Sequence, residues 1–419
     1  MRLPRTTVID DGDGPSQLQT LTLLAVRRLP PPPSTAFSEP KGDLRNWRFA
    51  GGGERTTVPF QLLNNHIYAE VKVDGKGPFL FIFDTGGQEI LMPATAKALA
   101  QGISGDAAGR GAGEGTVSVG FTRVRSIRIG DLELGPETVV VEPFETRAVD
   151  GVDEGGMIGF GTFRRLVTRI DYGRHTLTFI EPAHFDPRGA GTPIPFAFYN
   201  TIPQVEGAFE SLEGKFDIDT GSRTSIDITT PFVRAHDLIA RHPKGVLVVD
   251  GWGVGGPSRD FVTRGGRLRL GSVTVPSVVA GLSTQRAGAF TDPNYEGNVG
   301  AGILKRFVVT FDYGHRIMYL KPIAGPLVDV GTFDRSGMWI NEVGDGVEVM
   351  SLSVAGPADR AGLKVGDHIV AIDGERTTQV SLSDLRRKLR DDPAGTIEHL
   401  EVKSGGEERK VALTLRDQI

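Results

Sequence analysis

The sequence predicts a mainly β protein in which two related lobes precede a third domain of α+β type. Three observations support this fold class. Glycine makes up 56 of the 419 residues, whereas about 7% is usual, and such an excess is typical of many tight turns and hairpins. Four sequence patterns recur in the same order, and after Pro326 they give way to a different pattern.

The composition excludes several classes of protein. The net charge is −5, which argues against a nucleic-acid-binding protein, because such proteins normally carry a basic patch. The longest apolar runs, such as residues 21–26, are far too short to cross a bilayer. The absence of cysteine excludes disulfides, thiol catalysis and thiolate metal sites. No zinc-protease or nucleotide-binding motif occurs, so no metal or other cofactor is expected.

Residues 1–55 differ in composition from the rest of the chain. An acidic, glycine-containing run at 10–14 and four prolines at 30–33 predict a partly disordered leader arm or linker. The first 30 residues lack the apolar segment of a secretory signal. This stretch is therefore either a true leader arm or the remainder of a longer chain.

From residue 56 the chain is predicted to alternate between strands and turns. Short β-branched or aromatic runs at 58–63, 66–73 and 79–83 predict strands, with a hairpin turn at 74–77. Short helices are predicted at 93–100 and 231–240.

An internal repeat defines the two lobes. Residues 56–60, 83–87, 127–130 and 158–173 recur at 192–196, 218–222, 268–271 and 299–314. Because the order is kept at a spacing of 135 to 141 residues, we interpret the repeat as a duplicated lobe. The predicted boundaries are 56–185 and 186–325.

Each lobe contains one Asp-Thr-Gly sequence at the end of an apolar strand. A single copy would be weak evidence, since Asp and Gly are common in turns. Two copies at equivalent points of related lobes would bring Asp84 and Asp219 face to face at a two-fold axis. Carboxylates about 3 Å apart cannot both ionise, so they would share one proton. The ionised member would accept a proton from water, and the other would donate to the scissile carbonyl oxygen.

The residues that follow each aspartate suit this arrangement. Gly86 and Gly221 allow the backbone to approach the carboxylates closely. Thr85 and Thr220 can hydrogen-bond across the axis. The repeated Asp-Tyr-Gly sequences at 171–173 and 312–314 lack this context and are interpreted as turns.

The duplicated motif, with Ile158-Gly159 and Val299-Gly300 downstream, resembles the retropepsin-like aspartic proteases, in particular the bacterial kind with two retropepsin lobes in one chain. The resemblance covers residues 56–325. It implies two retropepsin-like (acid protease) β-barrel lobes that each contribute one catalytic aspartate. Ser222 matches the serine or alanine usual after the motif, whereas Gly87 departs from it and weakens a hydrogen bond to Asp84.

A second glycine cluster follows the motif in each lobe, at 109–115 and 251–256. In the family that the chain resembles, a flap hairpin closes over substrate at this position, and glycine suits a segment that must move. The predicted flap and substrate residues are Gly111, Gly113, Trp252 and Gly253. The alternative is an ordinary flexible hairpin tip.

Residues 330–419 resemble a PDZ domain. The resemblance rests on Gly-Pro-Ala at 356–358, Ala-Gly-Leu at 361–363 and Gly-Asp at 366–367, and their order is similar to that in exported bacterial tail-specific proteases. It implies that the C-terminus of a peptide adds as a strand. The implied groove residues are Gly337, Met338, Trp339, Ile340, Leu382, Leu385 and Leu389. Trp339 is larger than usual and would partly fill the groove, and the leucines of the helix capped by Ser381 could instead pack in the core.

Two functions follow from these features. The first is an aspartic endopeptidase in which the PDZ domain recruits polypeptides, with C-terminal peptides as candidate ligands. The second is a catalytically weak or inactive peptide-binding scaffold of the same fold. We expect a monomeric catalytic unit, because one chain carries both aspartates, and no nucleic acid or transmembrane segment. The resemblance implies a periplasmic or secreted location, although the chain shows no signal peptide.

Overall fold

The computed structural model describes residues 6–9, 19–22, 46–144, 146–325, 333–344 and 346–419. Within these residues the protein is mainly β, as predicted, and its strands form five sheets. The strands up to residue 180 are β1 (Thr6–Ile9), β2 (Gln19–Thr22), β3 (Trp47–Phe49), β4 (Arg55–Pro59), β5 (Gln61–Leu63), β6 (His66–Val73), β7 (Lys76–Phe83), β8 (Ile90–Leu91), β9 (Ser104–Gly109), β10 (Val117–Val124), β11 (Ile127–Ile129), β12 (Leu132–Leu134), β13 (Glu137–Val141), β14 (Glu154–Ile158), β15 (Val167–Asp171) and β16 (Thr176–Ile180).

The remaining elements continue this pattern of short segments. The later strands are β17 (Thr192–Pro195), β18 (Ala197–Tyr199), β19 (Ile202–Phe209), β20 (Leu212–Ile218), β21 (Ile226–Ile228), β22 (Val246–Gly253), β23 (Gly256–Arg264), β24 (Arg267–Leu270), β25 (Val273–Pro276), β26 (Val279–Ser283), β27 (Gly297–Val299), β28 (Phe307–Asp312), β29 (Ile317–Pro322), β30 (Met338–Val343), β31 (Gly346–Leu352), β32 (His368–Ile372), β33 (Glu375–Arg376), β34 (Ile397–Ser404) and β35 (Glu407–Thr414). The helices are α1 (Pro93–Ala98), α2 (Thr146–Asp150), α3 (Phe160–Phe163), α4 (Thr230–Ala235), α5 (Leu238–Arg241), α6 (Ala301–Leu304), α7 (Pro357–Arg360) and α8 (Leu382–Asp391).

Two large sheets have the same strand order. The first, called the N-sheet, runs β3-β12-β11-β6-β7-β14-β8-β13-β10-β9, and the second, the C-sheet, runs β25-β24-β19-β20-β27-β21-β26-β23-β22. Apart from β3, every strand in the N-sheet path has a counterpart at the same place in the C-sheet path. The register also agrees, since Met157 pairs with Ile82 and Ile90 where Asn298 pairs with Asp217 and Asp227.

A six-stranded sheet joins the two halves. Its order is β17-β29-β28-β15-β16-β4, and β15 pairs with β28 so that Ile170 lies opposite Val309. Fully buried aromatic side chains from both halves, including Phe163 and Phe307, belong to one hydrophobic core. The N-sheet and the C-sheet are therefore held in a fixed relation, which positions the loops between them.

Several local predictions are confirmed and others need correction. The strand predicted at 66–73 is β6, but the predicted turn at 74–77 is shorter, because Asp74 and Gly75 make it with φ of 52° and 78° and β7 resumes at Lys76. The helix predicted at 231–240 is interrupted at Asp237, whose φ is 49°. A left-handed residue cannot continue an α-helix, so two short helices form.

The predicted leader arm extends too far toward the C-terminus. Residues Trp47–Phe49 pair with Leu132–Leu134 at the edge of the N-sheet, and Phe49 is buried in the core. Of residues 1–45, only the paired strands β1 and β2 are described, so the prediction of partial disorder for the rest lies outside the described residues.

The C-terminal part forms its own sheet and core. The sheet order is β30-β31-β32-β34-β35, with β33 on β32, and α8 packs against it. The Ser381 Oγ accepts a hydrogen bond from the Asp384 N–H at 3.1 Å, which is the predicted helix cap. Among the described residues, none of the helices has the length and apolarity needed to cross a bilayer.

Candidate active site

The two Asp-Thr-Gly loops begin where matching strands end. Asp84 follows β7 and Asp219 follows β20, and the last three residues of each strand are buried. The Asp84 N–H donates to the Ile158 carbonyl at 2.9 Å, and the Asp219 N–H donates to the Val299 carbonyl at 3.0 Å. These strands occupy the same place in the two sheets, and the two loops contact each other through the hydrogen bonds of Thr85 and Thr220.

Thr85 and Thr220 lock the loops together. Each backbone N–H donates to the hydroxyl of the other threonine at 3.0 Å. The hydroxyl of Thr85 donates to the Ile218 carbonyl at 2.7 Å, and that of Thr220 donates to the Phe83 carbonyl at 2.8 Å. Both threonines are fully buried, so these four bonds fix the relative position of the two carboxyl groups.

Gly86 and Gly221 lie against the opposite carboxyl groups. A Cβ on Gly221 would lie 2.2 Å from the Asp84 Cγ, and one on Gly86 would lie 2.8 Å from the Asp219 Cγ. Real Cβ atoms do not come this close to other heavy atoms. Each glycine N–H also donates to the aspartate of its own loop, at 2.6 Å to Asp84 Oδ1 and 2.8 Å to Asp219 Oδ1.

The two carboxyl groups are electrostatically coupled. Burial, the charge of Asp219 and a hydrogen bond with it raise the pKa of Asp84 well above its ordinary value, while the N–H groups of Gly86 and Gly221 act in the opposite direction. A raised pKa means that Asp84 keeps its proton to higher pH than an isolated carboxyl group does.

The surroundings of the two aspartates differ. The Asn298 Nδ2 donates to Asp219 Oδ2 at 2.9 Å, whereas the counterpart of Asn298 is the apolar Met157. A Cβ on Gly87 would lie 2.2 Å from the Met157 Sδ, so a larger residue there would displace the end of the Met157 side chain. The hydroxyl of Ser222 hydrogen-bonds to Thr224 Oγ1 at 2.9 Å. The contact of Asn298 with Asp219 was not predicted from the sequence. The signal for it is that the polar Asn298 precedes Val299-Gly300, whereas the apolar Met157 precedes Ile158-Gly159.

Two hairpin tips meet above the aspartates. In the β9–β10 tip, the Gly113 N–H donates to the Val254 carbonyl and the Gly115 N–H donates to the Gly255 carbonyl, both at 2.9 Å. A Cβ on Gly113 would lie 2.2 Å from the Gly255 carbonyl carbon. Glycine is thus required for the closed contact between the tips.

A cavity of about 470 Å³ lies between the tips and the two aspartates. Gly111, Trp252 and Gly253 line it, together with residues of both large sheets. Its volume is in the range of sites that enclose small ligands or several side chains of a peptide.

The C-terminal domain reaches this cavity through Trp339. Two guanidinium groups contact the indole ring, with Arg223 at 4.7 Å and Arg386 at 4.5 Å from the ring centre. Arg223 follows the Asp219 loop directly, and Trp339 is among the residues lining the cavity. The side chain that sequence reasoning placed in a peptide groove therefore contacts the loop of Asp219.

A smaller cavity of about 110 Å³ lies at the junction between the C-terminal domain and the C-sheet. Gly337, Met338 and Ile340 line it, as do Arg386 and Arg390 of α8. The three predicted groove leucines of α8 are 1–3% exposed and belong to the core of the C-terminal domain: Leu382, Leu385 and Leu389.

One acidic cluster was not predicted from the sequence. Carboxylate oxygens of Asp227, Asp250 and Asp260 all lie within 4.8 Å of one another, which makes this group the only candidate metal-ligand set in the described part of the chain. Asp227 and Asp250 line the cavity between the hairpin tips and the two aspartates. The three residues lie on three different strands, β21, β22 and β23, so no short spacing motif in the sequence predicts the cluster.

Comparison with known proteins identifies two domains. A family model described as aspartyl protease matches residues 69–162, which include Asp84, and one described as PDZ domain matches residues 348–404. No curated protein matches the sequence. Among solved structures, a photosystem II D1 C-terminal processing protease is similar at 28% identity over 22% of this chain and 24% of that chain, with a TM-score of 0.20. The similarity thus spans about a quarter of that protein's length.

The predicted resemblance is thereby confirmed at the level of domains. The chain contains a retropepsin-like aspartyl protease domain and a C-terminal PDZ domain.

Proposed function

We propose that this protein is an aspartic endopeptidase in which Asp84 and Asp219 activate water for peptide-bond hydrolysis. The observation that carries the proposal is the pair of hydrogen bonds that Thr85 and Thr220 exchange. These bonds hold one carboxyl group from each half of the chain beneath a cavity that the two hairpin tips cover. A pair that shares one proton can remove a proton from water and protonate the carbonyl oxygen in the same step.

Each part of the site has a role in this reaction. The ionised aspartate accepts a proton from the attacking water, and the protonated one donates to the scissile carbonyl oxygen. The N–H groups of Gly86 and Gly221 orient the two carboxyl groups. The hairpin tips exclude bulk water, and they must separate to admit a polypeptide.

The first experiment removes one carboxylate at a time. Asp84→Asn and Asp219→Asn should each abolish cleavage of fluorogenic peptides across the pH range, because an amide cannot take part in the proton exchange. Far-UV circular dichroism should show that both variants are folded. Asp171→Asn, in a repeated turn away from the site, is the matched control and should cleave normally. Full activity in both dyad variants would exclude this assignment.

The same assay separates the enzyme from the second candidate, a peptide-binding scaffold. The hydrogen bonds between the two hairpin tips favour that candidate, since they close the cavity. Peptide binding to the folded protein without cleavage at any pH, with or without an aspartyl protease inhibitor, would support the scaffold.

We further propose that the PDZ domain recruits the C-terminal end of the polypeptide. Arg223, Arg386 and Arg390 line the junction cavity and provide positive charge for a terminal carboxylate. The Arg386 Nη2 donates to the Ile340 carbonyl at 2.6 Å. An added strand that pairs with β30 would compete for this carbonyl, so Arg386 would have to move.

A pair of peptides tests recruitment separately from hydrolysis. The two peptides share one cleavage sequence and differ only in a free or an amidated C-terminus. The free acid should have the lower KM, because only it can pair with the arginines. Equal KM values for the two peptides would remove the recruitment proposal and leave the hydrolytic proposal intact.

A further inference from the structure

The two walls of the active-site cavity differ in chemistry at equivalent positions. Ile82, Ile90 and Met157 line it from the N-sheet. The strand registers place Asp217, Asp227 and Asn298 at the same three positions of the C-sheet, where they also line the cavity. At these three positions the duplicated frame therefore presents apolar side chains on one side of the aspartate pair, called the apolar wall, and acidic or polar side chains on the other, called the acidic wall. Glu142, Asp150 and Glu154 also line the cavity from the N-terminal half, outside these three positions.

The acidic wall contains a buried carboxylate group that belongs to Asp227. Asp227 is 4% exposed, and its Oδ2 accepts a hydrogen bond from Thr224 Oγ1 at 2.5 Å. Its Oδ1 has no hydrogen-bond partner among the described residues. A Cβ on Gly281 would lie 2.6 Å from this oxygen, so glycine keeps the space beside it open, whereas the counterpart of Gly281 in the N-sheet is Val140.

Asp250 and Asp260 add two further carboxyl groups beside Asp227. Their carboxylate oxygens lie within 4.8 Å of those of Asp227. Burial, followed by the neighbouring carboxylates, raises the pKa of Asp227 and of Asp250 well above the ordinary range. Groups with this property are costly to ionise alone, and a cation placed among them would offset the cost.

The positions of the two walls relate them to the scissile bond. Ile82 and Asp217 each lie two residues before the aspartate of their own loop. In an extended peptide, consecutive side chains point to opposite sides. Residues on either side of the bond under attack would thus face different walls.

We infer that the enzyme prefers substrates with a lysine or arginine on one side of the scissile bond and an apolar residue on the other. The C-sheet wall binds the cationic side chain through Asp217, Asp227 and Asp250, and the N-sheet wall packs against the apolar one. Two arginines also line the cavity: Arg110 beside the first hairpin tip and Arg223 stacked on Trp339. The inference rests on the proposed peptidase activity.

The test uses peptides that are identical except for lysine or norleucine beside the scissile bond. Norleucine has the same carbon chain but no charge. The wild-type protein should cleave the lysine peptide with a kcat/KM at least about tenfold higher, as is usual for a desolvated charge pair. Asp227→Ile, which installs the N-sheet residue, should reduce the ratio to about one or invert it, and Asp227→Asn should lower it without a change in shape.

A matched control removes one negative charge outside the cavity. Glu206 lies on β19 and is exposed, so Glu206→Gln should keep the wild-type ratio. Circular dichroism establishes that each variant is folded, and Asp227→Asn serves if the isoleucine variant is not.

The outcomes separate this inference from the proposal it rests on. Equal cleavage of both peptides by the wild type would overturn the substrate preference and leave the peptidase activity standing. Cleavage of neither peptide would overturn both. Calorimetric binding of Ca²⁺ or Mg²⁺ to the wild type but not to Asp227→Asn, without a lysine preference, would assign the carboxylates to a metal ion and overturn the inference.

Discussion

The loop that carries Asp84 and the loop that carries Asp219 share their main-chain bonding but differ in the side chains around them. In each loop a glycine N–H donates to the aspartate carboxyl group, and the threonine hydrogen-bonds to the threonine of the other loop. In each loop the aspartate N–H also donates to a carbonyl of the neighbouring strand. Asn298 donates to Asp219, whereas its counterpart beside the Asp84 loop is Met157.

This difference separates what holds the carboxyl groups from what surrounds them. Backbone N–H and threonine contacts set the distance and orientation of the pair, so a change in either loop would disturb both aspartates. The side chains of the cavity walls take no part in these backbone N–H and threonine contacts. They can therefore differ between the two sheets without separating the two aspartates.

The largest effect is expected from adding a methyl group between the two loops. Gly221→Ala places a Cβ 2.2 Å from the Asp84 Cγ, so the loops must separate, and activity should fall by at least about 100-fold. Gly86→Ala, with its closest contact at 2.8 Å, should lose less. Measurement of kcat/KM for the two variants tests whether Gly221→Ala loses more activity than Gly86→Ala.

Gly51→Ala is the control for the glycine variants, since nothing lies within 4 Å of its added Cβ. It should retain wild-type activity. If Gly221→Ala were as active as Gly51→Ala, the close contact of the loops would be disproved.

The threonine bonds should contribute equally from the two sides. Thr85→Val and Thr220→Val keep the shape but leave a buried carbonyl and a buried N–H without partners, which should lower the free energy of unfolding by about 2–4 kcal/mol in each case. Urea denaturation monitored by fluorescence measures this change.

A hydroxyl pair at the surface provides the comparison for the threonine variants. Thr57→Val removes the exposed contact with Thr178, and its effect should stay within about 0.5 kcal/mol. A clear difference between Thr85→Val and Thr220→Val would show that the main-chain frame is not symmetric.

A further effect concerns the acidic wall and appears as a pH dependence of stability. Burial raises the pKa of Asp217 to about 7, whereas the same group in an unfolded chain titrates near 4. The folded state therefore binds the proton more tightly, and stability should fall as the pH rises from about 4 to 7, by at most about 4 kcal/mol for this group.

Asp217→Asn removes this titration and should flatten the dependence. Unfolding free energies at several pH values, compared between variant and wild type, isolate the contribution of this residue. Glu206→Gln, on the same sheet but exposed, should follow the wild-type curve. Parallel curves for Asp217→Asn and the wild type would contradict the effect of burial.

Much of the site was readable because its parts lie close together in sequence. Asp84 with Thr85 and Gly86 forms a local motif, and repetition of the motif at 219–221 indicates that the two copies act together. The capping residue Ser381 was equally readable, since a helix cap depends on its next three residues. The recognition of an aspartyl protease domain and a PDZ domain from such motifs is confirmed by the two family matches.

Other features could not be predicted from local sequence patterns. Asp227, Asp250 and Asp260 meet only because β21, β22 and β23 share one sheet. The sequence pattern that predicted a helix at 231–240 does not indicate that Asp237 adopts a left-handed backbone conformation. The leucines of α8 were compatible with a groove or a core, and only packing places them in the core.

The sequence by itself determined the mainly β fold, the duplicated aspartate motif and the presence of an aspartyl protease domain and a PDZ domain, because these depend on local pattern and repetition. The tertiary structure alone decided which surfaces face the aspartate pair. It set an apolar wall against an acidic one and placed Trp339 of the PDZ domain beside Arg223. The physical reason is that cavity walls are assembled from strands distant in sequence, whose side chains meet only when the sheets are paired and packed.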